Sequence, residues 1–346
     1  MIKLTSFIWL ITCILSFIIN SITVKFSIPI LKKINAFDLP NKRSSHTLPT
    51  PKGAGIAIIF SFIFLYFLFI EQLNIIFLFS IIILTSISFI NDYKQLSAIF
   101  RLATQSIVIF IILFFWPPIK DLTVFNYVIP IWSEKILIFF TLLWFVNLFN
   151  FMDGIDGITG IQCLIISIGT VISFYISGET SNLELFLCGF ISGASVAFLI
   201  WNWFPAKVFL GDAGSIPLGF INGLLMLMLC KNDLWFVALI LNSYYFSDAT
   251  YTLIKRIIMR KKPWEAHKEH FYQLAIQKGA KHSTVCKIIS IHGLFLIFLS
   301  IFSVLKPEPI FILSALIITG ISTLYLLYYL KKKLIINLEK NNAPIN

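Results

Sequence analysis

Eleven stretches of this chain are apolar enough to lie in hydrocarbon, and no other feature limits its fold so strongly. They cover residues 4–24, 55–70, 75–90, 102–116, 136–149, 158–176, 183–203, 216–230, 234–254, 288–305 and 310–330. A helix crossing a bilayer needs about 20 apolar residues, and shorter runs serve where the bilayer adapts. In hydrocarbon every backbone polar group must be satisfied internally, so runs of this kind are expected to be helices. Composition agrees: 58% of the 346 residues are hydrophobic and only 12% are charged, against roughly a quarter charged in soluble domains. The expectation is an all-α polytopic membrane protein of about eleven transmembrane helices. Residues 1–330 form one integral membrane domain, and 331–346 form a short basic tail.

The formal net charge of +11 first suggests nucleic acid, but its distribution excludes that reading. With the N-terminus outside, 22 of the 27 lysines and arginines fall in inner loops or the tail, as positive-inside topology requires. The chain is therefore expected N-out and C-in, in a bacterial inner membrane. Its positive face suits membrane lipid head groups and phosphates. The first run follows Lys3, lacks a small-residue cleavage site and ends at Lys25, so it reads as an uncleaved span. The outer loop 117–134 contains a weak strand signal at 123–128, expected as a small periplasmic hairpin. Cys13, Cys163, Cys188, Cys230 and Cys286 have no metal or redox spacing and read as small apolar packing residues.

Acidic residues gather where this topology meets the inner face. Asp92 follows the third run, Asp153 and Asp156 the fifth and Asp212 the seventh, while Asp248 lies inside the ninth. Any one of them reads most simply as a solvated loop residue. Four at inner helix ends or loops, beside glycine and asparagine, do not. The segment Asn147-Leu148-Phe149-Asn150-Phe151-Met152-Asp153-Gly154-Ile155-Asp156-Gly157 concentrates side-chain oxygens of the kind Mg²⁺ takes. Gly211-Asp212-Ala213-Gly214-Ser215 reads the same way. Because Mg²⁺ uses one or two carboxylates plus substrate phosphates, a diphosphate substrate is the natural partner.

Basic groups complete the pattern. Lys42-Arg43-Ser44-Ser45-His46 precedes Pro49-Thr50-Pro51-Lys52-Gly53-Ala54-Gly55 at the start of the second run. A glycine-containing helix start beside cations can hold phosphate; a positive-inside anchor is the plain alternative. Arg101 after Ser97 is similar. In the last inner loop, Trp264-Glu265-Ala266-His267-Lys268-Glu269-His270-Phe271-Tyr272-Gln273 sets two histidines at i, i+3, on one face of an expected helix. A zinc site would need more ligands, and no H-E-x-x-H occurs. The reading is polar contact with substrate, with a purely structural loop helix as its competitor.

At these residues the chain resembles the polyprenyl-phosphate N-acetylhexosamine-1-phosphate transferases, the MraY-like enzymes of glycosyltransferase family 4. The likeness runs from Asp38 to Gln273 and is most specific at Asn147–Gly157, Gly211–Ser215 and the His267/His270 segment. Ser247-Asp248-Ala249-Thr250, leading through Lys255-Arg256, is similar to the branch that starts O-antigen or related glycans. The resemblance implies a Mg²⁺-dependent site on the cytoplasmic face, a UDP-N-acetylhexosamine donor and an undecaprenyl phosphate acceptor, with UMP released. By carry-over it implies catalytic Asp92, Asp153, Asp156 and Asp212, with Asp212 and Asp153 holding metal. Lys52, Arg101, Asn147, Asn150, His267 and His270 would bind substrate. One departure stands out: the family usually carries two adjacent aspartates after the third span, and here the pair is Asn91-Asp92. Ala54, where a glycine is expected, is a milder one. A transporter or flippase using Asp248, and a catalytically inactive lipid-binding relative, are the competing readings.

Overall fold

A computed structural model describes residues 7–40, 48–116, 123–124, 127–128, 130–178, 180–262, 265 and 267–333. Lys42 to His46, Trp264, Ala266 and the tail beyond Lys333 lie outside them. The described chain is helical almost throughout. Its helices are α1 (Ile8–Lys33), α2 (Gly55–Phe69), α3 (Ile75–Lys94), α4 (Ala98–Phe115), α5 (Ile131–Phe151) and α6 (Ile158–Ser177). They continue as α7 (Asn182–Asn202), α8 (Asp212–Lys231), α9 (Trp235–Ile258), α10 (Phe271–Gln277), α11 (His282–Leu305) and α12 (Pro309–Tyr328), closed by a π-helical turn at Tyr329–Lys333.

The described part of each of the eleven apolar runs falls on one helix, and the seven-residue α10 is the addition. Among the described residues, nine helices are long and apolar enough to cross a bilayer. The apolar α2 is shorter, at 15 residues. In α9 the apolar pattern is interrupted by Asn242, Ser243, Ser247 and Asp248. Local chemistry sets several boundaries. Asn74 accepts from the Phe77 amide at the start of α3 (2.8 Å) and Ser97 from Phe100 at the start of α4 (3.3 Å). Ser181 and Glu184 close a capping box on α7.

The helices are arranged around α8. Its apolar window is 94% buried inside the protein, against 22% for α1, so α8 is a central post and α1 a lipid-facing edge. Helices α3, α5, α2 and α9 pack against α8, while α6 and α7 form a second buried layer. Putting α8 at the centre carries its first residue, Asp212, to the middle of one end of the bundle.

Two small sheets flank the helices. Thr123–Val124 pairs antiparallel with Tyr127–Val128, the hairpin expected in the outer loop. Phe37–Asp38 pairs with Thr50–Pro51, and Lys52 bridges to Phe209; no sequence pattern announces either. The amides of Gly53 and Ala54 donate to the Phe209 carbonyl (both 3.1 Å), and that of Gly55 to Leu210 (3.0 Å). The Pro51–Gly55 segment is thereby laced to the extended stretch leading into α8. Ala54, fully buried, fits there without disturbing the lacing.

Candidate active site

The turn Phe209–Asp212 organises the site. Gly211 takes φ +76°, a conformation that L side chains rarely adopt, and α8 starts at Asp212. Asp92, near the end of α3, caps that start: its Oδ1 accepts the Asp212 amide and its Oδ2 the Ala213 amide, both at 3.0 Å. A carboxylate on the first N–H groups of a helix also answers its positive dipole end. Lys52 Nζ sits 2.7 Å from Asp92 Oδ1. Burial works against the Lys52 ammonium, but Asp212 and Asp92 outweigh it and raise its pKa. Both oxygens of Asp92 are thus committed to lysine and backbone.

Asp212 is held differently. Its Oδ2 accepts from Asn91 Nδ2 at 2.6 Å and pairs with Arg101 Nη1 at 3.3 Å, while its Oδ1 accepts from Asn150 Nδ2 at 3.0 Å. Asn150 also donates to Ser215 Oγ at 2.8 Å. Four helices, α3, α4, α5 and α8, therefore meet at one carboxylate that keeps 17% side-chain exposure. Asp153, on the turn after α5, accepts from Thr159 Oγ1 at 2.5 Å. Burial pushes its carboxyl up to about 7, with Asp212 and Asp92 adding and the Thr159 bond and Lys52 opposing. The three carboxylates are thus near enough to feel one another.

The structure separates the other candidates from this cluster. Asp156 is buried and turned toward α11: Oδ1 lies 3.3 Å from His282 Nδ1 and Oδ2 accepts the Ala206 amide at 3.0 Å. It links the turn after α5 to α11 and to the loop after α7, and among the described residues no hydrogen bond or ion pair joins it to Asp212 or Asp92. Asn147 lies one helical turn deeper than Asn150 and donates to Gln105 Oε1 (2.6 Å) and the Leu143 carbonyl (2.8 Å), joining α5 to α4. His270 is not on a helical face with His267. It precedes α10 as its N-cap, is 2% exposed, and places Nδ1 3.1 Å from Asp248 Oδ1. The reason is Asp248, which is fully buried and accepts the Phe271 amide through both oxygens (3.0 and 3.1 Å). That acceptor starts α10 at Phe271, one residue after His270. His267 stays outside the helix, half-buried, its ring 4.9 Å from that of His270. Burial, with His270 and Arg256 assisting, lowers its pKa to about 4, so the ring is neutral near pH 7.

Several members of the cluster are not evident from the sequence. Asn91 stands out there only as a departure, yet it is the nearest partner of Asp212. Ser215 is visible in the Gly211–Ser215 segment. Thr159 carries no signal, because only the irregular turn between α5 and α6 brings it to Asp153.

The donor set can be tested against Mg²⁺. Among the described residues, no three His, Cys, Asp or Glu side chains converge as a ready-made metal site. Asp212 and Asp153 supply two hard-oxygen carboxylates, while Asn91 and Asn150 turn their amide nitrogens, not their oxygens, toward Asp212. Mg²⁺ commonly takes no more from protein and draws the rest from water and substrate phosphates. The residues fit the ion. Arg101 Nε is buried without a hydrogen-bond partner among the described residues.

Comparison with known proteins bears on the chemistry. The family model described as glycosyl transferase family 4 matches residues 74–230. An undecaprenyl-phosphate alpha-N-acetylglucosaminyl 1-phosphate transferase of Thermotoga maritima is 28% identical over 286 residues, 82% of this chain and 86% of that one. A probable undecaprenyl-phosphate N-acetylglucosaminyl 1-phosphate transferase of Bacillus subtilis is 27% identical over 302 residues, 82% and 83% of the two chains. A phospho-N-acetylmuramoyl-pentapeptide-transferase of Streptococcus uberis is 38% identical over 141 residues, 38% and 41% of the two chains.

Proposed function

We propose that the chain is a glycosyl transferase family 4 enzyme, whose family model matches residues 74–230, and that it transfers N-acetylhexosamine 1-phosphate from a UDP-sugar to undecaprenyl phosphate. UMP leaves, and a polyprenyl-diphosphate-linked sugar remains to start a cell-envelope glycan. The observation that carries this reading is Asp212, gathered with Asn91, Arg101 and Asn150 from three other helices. It lies at the end of the bundle where Lys32, Lys33, Lys52, Lys255 and Arg256 also lie. The site is assigned to the cytoplasmic face of the plasma membrane because 22 of 27 basic residues fall on that side of the deduced topology.

An oxygen of the lipid phosphate attacks the phosphorus that bears the sugar. A new P–O bond forms, the bond to the UMP phosphate breaks, and its electron pair leaves with UMP. A phosphate monoester has a second pKa of about 6, so the acceptor is already largely dianionic at neutral pH and needs no protein base. Asparagine at position 91 is then no obstacle. Phosphoryl transfer depends on positioning and charge compensation more than on covalent help. Arg101 and Lys52 hold negative charge close to the reacting phosphates, and Asp92 fixes the turn that presents Asp212. Asp212 and Asp153 would hold Mg²⁺, which supplies neutralisation of the donor diphosphate when bound. His267, neutral and half-buried, would meet the donor from the last loop.

The test is purified protein with undecaprenyl phosphate, Mg²⁺ and a panel of UDP-sugars. The panel includes UDP-N-acetylglucosamine and the 6-deoxy N-acetylfucosamine and N-acetylquinovosamine donors. UMP release together with a lipid-linked sugar phosphate from one of them is expected. Silence across the panel with lipid binding intact would sink the reading.

A further inference from the structure

The last inner loop meets the Asp153 turn through α10, and the contact is tight. Tyr272, fully buried on α10, donates its hydroxyl to the carbonyl of Phe151 at 3.1 Å. Phe151 ends α5, so this carbonyl lacks an intrahelical partner, and the turn carrying Asp153 begins directly after it. Gly154 passes the same hydroxyl so closely that a Cβ there would overlap the Tyr272 oxygen. It would also come within 3.1 Å of Gln273 Nε2. The 152–157 turn is thus moulded against Tyr272.

Tyr272 is itself fixed. Asp248 anchors the Phe271 amide and the His270 ring, and His270 stacks on Tyr272 with centroids 5.7 Å apart at 13°. From the other side, the π-helical turn Tyr329–Lys333 packs against α10 and buries Leu330 completely. Beyond the turn, Asn150 holds Asp212 and Thr159 holds Asp153. An unbroken line of contacts runs from a buried aspartate in α9 to the carboxylates of the site.

We propose that Tyr272 is a positioning residue. Seated on the Asp248–His270 clasp, it sets the height of the Asp153 turn, and glycine at 154 is the only residue type that lets it do so. This rests on the transferase reading for its meaning, though not for its geometry. The loop bearing His267 and the turn bearing Asp153 therefore move as one body, so donor contact and carboxylate placement are mechanically linked.

The experiment is a double-mutant cycle of Tyr272→Phe and Gly154→Ala on the full-length protein in detergent. It is read by backbone hydrogen exchange over residues 150–157 and by steady-state transfer. Tyr272→Phe is expected to speed exchange in the turn severalfold. It should lower kcat about tenfold while the donor KM changes by less than about twofold, the split expected when ground-state binding is spared. Gly154→Ala, which collides with the hydroxyl, should cost more. In the double variant, the space left by the missing oxygen should restore part of the lost kcat, a non-additivity reserved for groups in contact. Unchanged exchange in Tyr272→Phe, or strictly additive losses, overturns the proposal. If exchange responds as expected but the wild-type protein transfers no sugar phosphate, the clasp stands and the transferase reading fails.

Discussion

Two aspartates at the same end of the bundle have opposite surroundings. Asp248 has no exposure, and its oxygens meet two neighbouring backbone and imidazole donors, with the Tyr244 and Thr252 hydroxyls farther off at 3.4 Å. Asp212 keeps 17% side-chain exposure and meets one cation and two amides, all reorientable side chains. A carboxylate enclosed by fixed donors is a structural pin, because nothing can replace those donors without unfolding the loop. A carboxylate held by side chains that can turn away is available to an incoming charge. An ionisable group inside a span therefore acquires its meaning from its partners. The same contrast removes the basis for reading Asp248 as a transport site.

Substitutions should pull the two carboxylates apart. The largest effect is expected at Asp212→Asn, which keeps the shape and removes the charge. Turnover should fall on the order of 10³-fold, the scale of losing a key electrostatic group, while melting in detergent stays close to wild type. Asp248→Ala should do the reverse. Buried donors on Phe271 and His270 lose their acceptor, at a cost of about 3 kcal/mol of stability, visible as a lowered unfolding midpoint. If Asp248→Ala melted normally and only activity fell, the two aspartates would not differ as described. Next in size, His267→Ala should raise the donor KM about tenfold with kcat little changed, measured by UMP release at saturating acceptor.

The smallest effect lies within the open cluster. Asn91→Asp replaces the amide donor beside Asp212 with a second negative charge. A unit charge pair at 4 Å in water is worth about 1 kcal/mol, about fivefold. The Mg²⁺ concentration giving half-maximal transfer should therefore fall by about that factor. A rise would mean that the Asn91 amide matters chiefly as a donor to Asp212.

The helices are legible in the sequence because hydrocarbon admits little else. Even so, α3 runs past its apolar stretch to Lys94 and α9 to Ile258, since charged residues at a helix end can reach interfacial water. The open cluster is legible in part. Asp212, Asp153, Asn150, Arg101 and Lys52 announce themselves as polar residues crowding helix ends. Their grouping follows from the central place of α8, which no local pattern records. The closed cluster is hidden. The i, i+3 spacing of His267 and His270 suggests one helical face, but a helix starts where its first N–H groups find acceptors, and Asp248 lies 23 residues from Phe271. The contacts of Asp156 are hidden for a similar reason: its partner His282 is 126 residues away. The Phe37–Asp38 pairing with Thr50–Pro51 is too short for any periodicity to reveal.

If Asp212 and its neighbours form a site for a divalent cation and a nucleotide diphosphate together, the two ligands must bind cooperatively there. Electron paramagnetic resonance of Mn²⁺ added in place of Mg²⁺ reads this without reliance on turnover. Wild-type protein should immobilise Mn²⁺ far more strongly when UDP is present than when it is absent, and Asp212→Asn should lose that UDP-dependent signal. An Asp212→Asn protein that held Mn²⁺ and UDP as tightly as wild type would show that the shared site does not exist.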